Sequence, residues 1–170
     1  MNSSQEKNRP LEKLNSMKKI AMPLLEKNEN FNIVIGGKSY AGKTWALQTA
    51  PRPLVIDVFD KTALPALRPI MNEEDVFINL YTDDNPEKPT MFKLWAERYD
   101  AMRRDGVFDY IETHAVDSLT KMAESLLWKI IDDQIKSGKG RRTATQIAYR
   151  QPTIGDYAFQ GEKMKKILNF

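Results

Sequence analysis

Asn32-Ile-Val-Ile-Gly-Gly-Lys-Ser-Tyr-Ala-Gly-Lys-Thr-Trp-Ala-Leu47 is the stretch on which the reading of the whole chain turns. Its first residues, Asn32 to Ile35, lean apolar and read as a short buried strand. Gly36 and Gly37 break that run, and Lys43-Thr44 is expected to open a helix. Gly37 to Thr44 fits the spacing G-x-x-x-x-G-K-[ST], with strand before and helix after, as a phosphate-binding loop requires. The glycines permit backbone angles closed to other residues, so that successive N–H groups converge on a polyphosphate. The helix start adds its positive dipole end. Gly37, Lys38, Ser39, Tyr40, Ala41, Gly42, Lys43, Thr44 and Trp45 are therefore the candidate nucleotide-binding residues. Lys43 is placed to reach the terminal phosphates and Thr44 to hold magnesium through its hydroxyl. Lys38 either adds to the anion site or faces solvent.

Composition bounds what surrounds this loop. The 170 residues suit one domain, with 41% hydrophobic and 29% charged residues as in ordinary globular proteins. There is no cysteine, which excludes disulfides and thiolate metal sites. No apolar run approaches the roughly 18 residues of a membrane span, and the polar first thirty positions do not resemble a secretory signal. The expected location is the cytoplasm. A net charge of +3 permits an anionic partner without demanding one.

Residues 1–30 read as a polar arm with a short helix between Leu11 and Met22, stopped by Pro23 and covering an edge of the core. Residues 31–170 read as the nucleotide-binding domain. Ala50-Pro-Arg-Pro53 ends the helix after the loop, and Leu54 to Phe59 is a second buried strand with Asp57 and Asp60 near its end. Val76 to Leu80 is a third strand. Thr90 is expected to cap a helix with Met91, Leu94, Trp95, Tyr99 and Met102 on one face, ending at Asp105-Gly106. Phe108 to Val116 is a fourth strand closing on Asp117. Ser118 starts a long helix with an apolar face from Leu119 to Ile135, and a last helix runs from about Ile154. Strands alternating with helices predict an α/β fold, a doubly wound, mainly parallel sheet with helices on both faces.

A phosphate loop needs a carboxylate from a neighbouring strand to complete its magnesium site. Asp117 ends a strand and precedes a helix, and ligands in open parallel sheets lie at such ends, so Asp117 pairs with Thr44 in this reading. His114, the sole histidine, reads as a satisfied polar group on the strand rather than a catalyst.

Gly37-x4-Gly-Lys-Thr44, Thr49-Ala-Pro-Arg-Pro-Leu-Val-Ile-Asp57 and Val116-Asp-Ser-Leu-Thr120 together resemble the phage-encoded AAA-type, RecA-like P-loop ATPases, some of which act in single-strand annealing or recombination. The likeness covers roughly residues 31 to 170. It implies a P-loop NTPase fold with a RecA-like core, ATP and magnesium as cofactors, and ATP hydrolysis coupled to DNA recombination or replication. It also leaves room for a homo-oligomer. In such ATPases a glutamate near the end of the second strand polarises the attacking water. Here Phe59 stands nearest, and the acids present are Asp60 and Asp57, which with Lys43 are the candidate catalytic residues.

Lys136, Lys139, Arg141, Arg142 and Arg150 lie in a segment with no acid between Asp133 and Asp156, with Tyr149 among them. Basic loops with aromatics suit single-stranded DNA, the expected partner; a solvated loop is the bland alternative. Two other functions compete: a phosphotransferase acting on a small acceptor, and a nucleotide sensor or assembly protein that does not hydrolyse. RecA-like cores place a further strand between the phosphate-loop strand and the acid-bearing one. The sequence supplies none after the last helix, so the expectation is a fragment of a longer chain, against direct pairing of Asn32–Ile35 with Phe108–Val116. Replacing Lys139, Arg141 and Arg142 with Ala is expected to lower the log–log salt slope of single-strand binding by about 0.7 per lost phosphate contact, read by fluorescence anisotropy across a salt series.

Overall fold

The computed structural model describes residues 32–85, 87–138 and 143–168. The chain divides between Gly37 and Lys38 into two units. The expected N-terminal arm and its helix lie outside the described residues, as do Lys139, Arg141 and Arg142.

The second unit is built on a parallel sheet of three strands, β1 (Leu54–Val58), β2 (Val76–Leu80) and β3 (Thr113–Asp117), in the order β2-β1-β3. β1 lies in the middle, and every one of its residues is buried, which is why Leu-Val-Ile-Asp-Val carries no polar alternation apart from Asp57. Leu54 aligns with Val76 and Thr113, and Val58 with Leu80 and Asp117. The three C-terminal ends therefore finish level.

Helices cover both faces. On one, Leu54, Ile56, Val58 and Val76 pack with Ala63, Leu67 and Ile70, around helix α1 (Leu64–Leu67). On the other, Phe59 and Tyr81 meet Phe92 and Trp95 of α2 (Met91–Arg104) and Met122, Leu126 and Ile130 of α3 (Leu119–Ser137). A short helix α4 (Ala144–Ala148) precedes α5 (Ile154–Leu168), whose Met164 and Ile167 join this second cluster. The alternation of side chains along β1 sends Leu54, Ile56 and Val58 to one layer and Asp57 to the other.

Local signals set several ends. Ser118 accepts a hydrogen bond from the Lys121 amide at 3.3 Å and caps α3, which stops at Gly138 with φ 63°. The α2 cap comes from elsewhere than the sequence indicates. Thr90 makes no side-chain cap bond; Asp83 Oδ1 accepts instead from the amides of Thr90 (2.8 Å) and Met91 (3.1 Å).

Three expectations are corrected. Asn32–Ile35 carries no strand, and Ile33, Val34 and Ile35 are 78%, 61% and 55% exposed. So short a run gains nothing from extended geometry unless a partner strand accepts its hydrogen bonds, and local sequence does not supply that partner. The helix after the loop is a five-residue 3-10 helix, Trp45–Thr49. Pro51 and Pro53 leave no room for an α-helical ladder, so the aligned dipole expected there is short. Finally, the strand expected from Phe108 begins only at Thr113. Val107–Asp109 is a 3-10 turn, and Pro53 O takes the amides of both Glu112 (3.0 Å) and Thr113 (3.2 Å) where the ladder starts.

Ile56 is fully buried in the central strand, whereas Phe77 on β2 is 50% exposed. Ile56→Ala is expected to cost about 2–5 kcal/mol, seen as a lower urea midpoint at unchanged slope, and Phe77→Ala a clearly smaller loss.

Candidate functional site

Lys38 to Thr44 forms a compact turn closed by its own groups. The Ala41 amide donates to Lys38 O at 3.2 Å, and Lys43 Nζ donates to the same oxygen at 2.7 Å. Gly42 takes φ 81°, a left-handed angle that disfavours a Cβ, and hands the chain to the 3-10 turn through Ala46 N to Gly42 O at 3.0 Å. Tyr40 is also left-handed, with φ 63°. Gly37 falls in the first unit, so the geometry of the site rests on Lys38–Thr44.

Asp117 comes to this loop from the far end of the chain. It is the last residue of β3, level with Val58, and its carbonyl accepts the Phe59 amide at 2.6 Å. The strand end is thus pinned by backbone. The Asp117 side chain meets the loop: Thr44 Oγ1 donates to Asp117 Oδ2 at 2.5 Å. A hydroxyl bonded to an ionised carboxylate is among the shorter and stronger hydrogen bonds. The two expected magnesium ligands therefore lie side by side although 73 residues separate them. Their donor set, one hydroxyl and one carboxylate, fits magnesium, which keeps several waters and takes few protein oxygens beside phosphate. Among the described residues no cluster of three or more His, Asp or Glu side chains offers an all-protein metal cage.

The other acids have separate employments. Asp57 is 2% exposed and accepts from three side chains. Asn79 Nδ2 reaches Oδ1 at 2.9 Å, while Trp95 Nε1 (2.9 Å) and His114 Nε2 (2.8 Å) share Oδ2. Burial pushes this carboxyl's pKa up, but the bonds from His114, Asn79 and Trp95 and the charge of His114 outweigh burial and hold it below its ordinary 3.8. His114 is the satisfied strand residue expected, with Tyr99 and Phe108 rings 5.7 and 5.4 Å from its own. Asp60 lies just past β1 and caps the 3-10 turn Lys61–Ala63, accepting from Thr62 N (2.9 Å) and Oγ1 (2.7 Å). The Thr62 hydroxyl is the main reason its pKa is lowered. Asp60 opens on a cavity of about 350 Å³ at the C-terminal ends of β1 and β2, with Lys121, Glu124 and Trp128 of α3 among its walls. Sequence reading missed these three wall residues and the Trp95 indole donor. Only their helical faces were legible, not the strand ends they meet.

The basic segment is partly neutralised. Asp132, buried to 3% exposure, takes Lys136 at 2.6 Å and Arg150 at 3.1 Å. Burial raises the Asp132 pKa, and these two cations more than offset that rise. Arg150 also donates to Glu87 O at 2.9 Å, tying the stretch after α4 to the loop before α2.

No protein-family model matches the chain, and neither the curated proteins nor the solved structures contain a match. Among the described residues no helix is long and apolar enough to cross a membrane.

Asp57 gives a pH test. Its folded pKa is depressed, so its contribution is present above the unfolded value and is lost as pH falls through the folded one. Asp57→Asn should lose about 1–3 kcal/mol at neutral pH, since buried donors lose an acceptor. Its urea midpoint should also fall less than the parent's as pH drops below 3.8. Identical acid limbs in the two proteins would remove Asp57 as the titrating group.

Proposed function

We propose that the chain binds ATP with magnesium at Lys38–Thr44, the part of the Gly37–Thr44 motif in the second unit, and Asp117, and that it is a P-loop ATPase of the RecA-like kind working on DNA. One observation carries the reading: the 2.5 Å contact between Thr44 Oγ1 and Asp117 Oδ2. A chance glycine-rich turn has no reason to face its threonine toward a strand-end acid. A phosphate loop requires that meeting, because the hydroxyl and the acid share one metal shell. Magnesium, when bound, neutralises charge on the β- and γ-phosphates. Lys43 adds a side-chain cation, and reaching phosphate means exchanging its bond to Lys38 O. Of the two acids proposed to orient water, Asp57 is saturated by three donors, so that role falls to Asp60, half-buried at the cavity mouth.

The DNA part rests on the basic segment. With Lys136 and Arg150 both held by Asp132, the charge for phosphate contacts comes from Lys139, Arg141 and Arg142. The cavity beside Asp60 favours a second reading, transfer of the terminal phosphate to a small acceptor seated there.

Titration calorimetry with ATP, with and without magnesium, tests the first reading. Lys43→Ala should weaken ATP binding tenfold or more, the scale of a lost charged hydrogen bond. Asp117→Asn should weaken binding with magnesium more than binding without it. Parent-like affinity in Lys43→Ala would sink the phosphate-site assignment. Turnover that rises with single-stranded DNA separates the ATPase from the phosphotransferase, which needs an acceptor instead.

A further inference from the structure

Among the described residues, some aromatic rings pack together and others stand exposed. Phe59, Tyr81, Phe92, Trp95, Tyr99, Phe108 and His114 form one continuous series of ring contacts, with neighbouring centroids 5.3–5.9 Å apart. Tyr40 and Trp45 stand outside it, as do the exposed Phe77, Tyr110, Tyr149, Tyr157 and Phe159. Tyr40 is wholly exposed, and Trp45 is 60% exposed. They flank Lys43 and Thr44, the side chains proposed to meet phosphate. Tyr40, moreover, has φ 63°, where glycine or asparagine is at ease and a bulky residue is not. The turn therefore carries an unfavourable residue whose ring packs on nothing in the core. Such strain persists where the side chain has work outside the fold.

Resting on the ATP reading above, we infer that Tyr40 and Trp45 contact the nucleobase and make the site selective for nucleotides over bare polyphosphate. With the phosphate chain anchored at Lys43 and Thr44, the rest of the ligand would meet the exposed rings that neighbour these residues in the chain. A base is a flat π system, and stacking on an aromatic ring needs no defined donor or acceptor. Exposed Tyr and Trp supply such a platform at small entropic cost, because each has only two side-chain torsions to fix.

The test compares magnesium ATP with magnesium tripolyphosphate, which carries the phosphates without a base, by calorimetry on the full chain. The parent should prefer ATP. Tyr40→Ala and Trp45→Ala should each weaken ATP about fivefold or more, the range that base–aromatic stacking gives, and leave tripolyphosphate within about twofold. Tyr40→Phe should keep the parent preference, since the ring rather than the hydroxyl acts. Equal losses for both ligands would assign Tyr40 to loop shape, and unchanged ATP affinity in both Ala variants would also overturn the inference. So would Ala variants that lose single-stranded DNA binding while keeping ATP. A parent that binds neither ligand removes the ATP reading itself. A parent that binds both equally leaves the phosphate site standing and removes only the base contact.

Discussion

Everything at the strand ends depends on one buried carboxylate. Asp57 on β1 takes Asn79 from β2, His114 from β3 and Trp95 from α2. An ionised acid at 2% exposure is tolerable only if each of those donors arrives, because a missing one leaves charge without compensation. The hub therefore acts on register. A strand alternates faces with a period of two, so a one-residue slip of β3 would carry His114 to the opposite layer. With His114 fixed, Asp117 falls at the end of the same strand, level with Val58. The acid that meets Thr44 is thus located by the acid that meets nothing but the core.

Two further carboxylates repeat the device between helices. Asp83 caps α2 through the Thr90 and Met91 amides with one oxygen and takes the Ser125 hydroxyl of α3 at 2.7 Å with the other. Asp132 of α3 holds Lys136 one turn on and Arg150 from beyond α4. Each joins segments that apolar packing would bring together only approximately. Apolar contact contributes most of the stability but is non-directional. A carboxylate with two committed oxygens accepts fewer arrangements. Asp132 also has an electrostatic consequence, because it withdraws two cations from a segment that composition alone reads as strongly basic.

What could be read from sequence divides along the line between local and distant causes. The strands at 54–58 and 76–80, the Ser118 cap and the apolar face of α3 follow from residues within a few positions of one another, and they stand where the sequence puts them. The nearness of Asp117 to Thr44, though they are distant in the chain, was also expected from reading Gly37–Thr44 as a phosphate loop and from the one later strand that ends in an acid, and the two side chains do meet. Asn32–Ile35 fails for the complementary reason: hydrophobicity says that a segment gains from burial, not that an edge exists to receive it. The Thr90 cap shows the same limit. Its amide is satisfied by Asp83, seven residues upstream, where a local rule looks only at Thr90 itself. The Asp57 hub was invisible in principle, because an acid at a strand end reads alike whether it faces solvent or three donors.

The acids of the site can be ordered by what a newcomer must displace. At Asp57, three donors and burial make any new partner compete with the fold itself. Asp60 commits one oxygen to Thr62 and lies beside a cavity large enough for several waters, so it can orient a solvent molecule without unfolding its turn. Asp117 holds one described side-chain bond, from the Thr44 hydroxyl, while its backbone is pinned by Phe59. A new partner for the Asp117 carboxylate would displace that one hydrogen bond and move no strand. The same reasoning separates these acids without reference to their order in the chain: Asp57 is buried and joins the three strands and α2, whereas Asp60 and Asp117 are both half-buried at the strand ends.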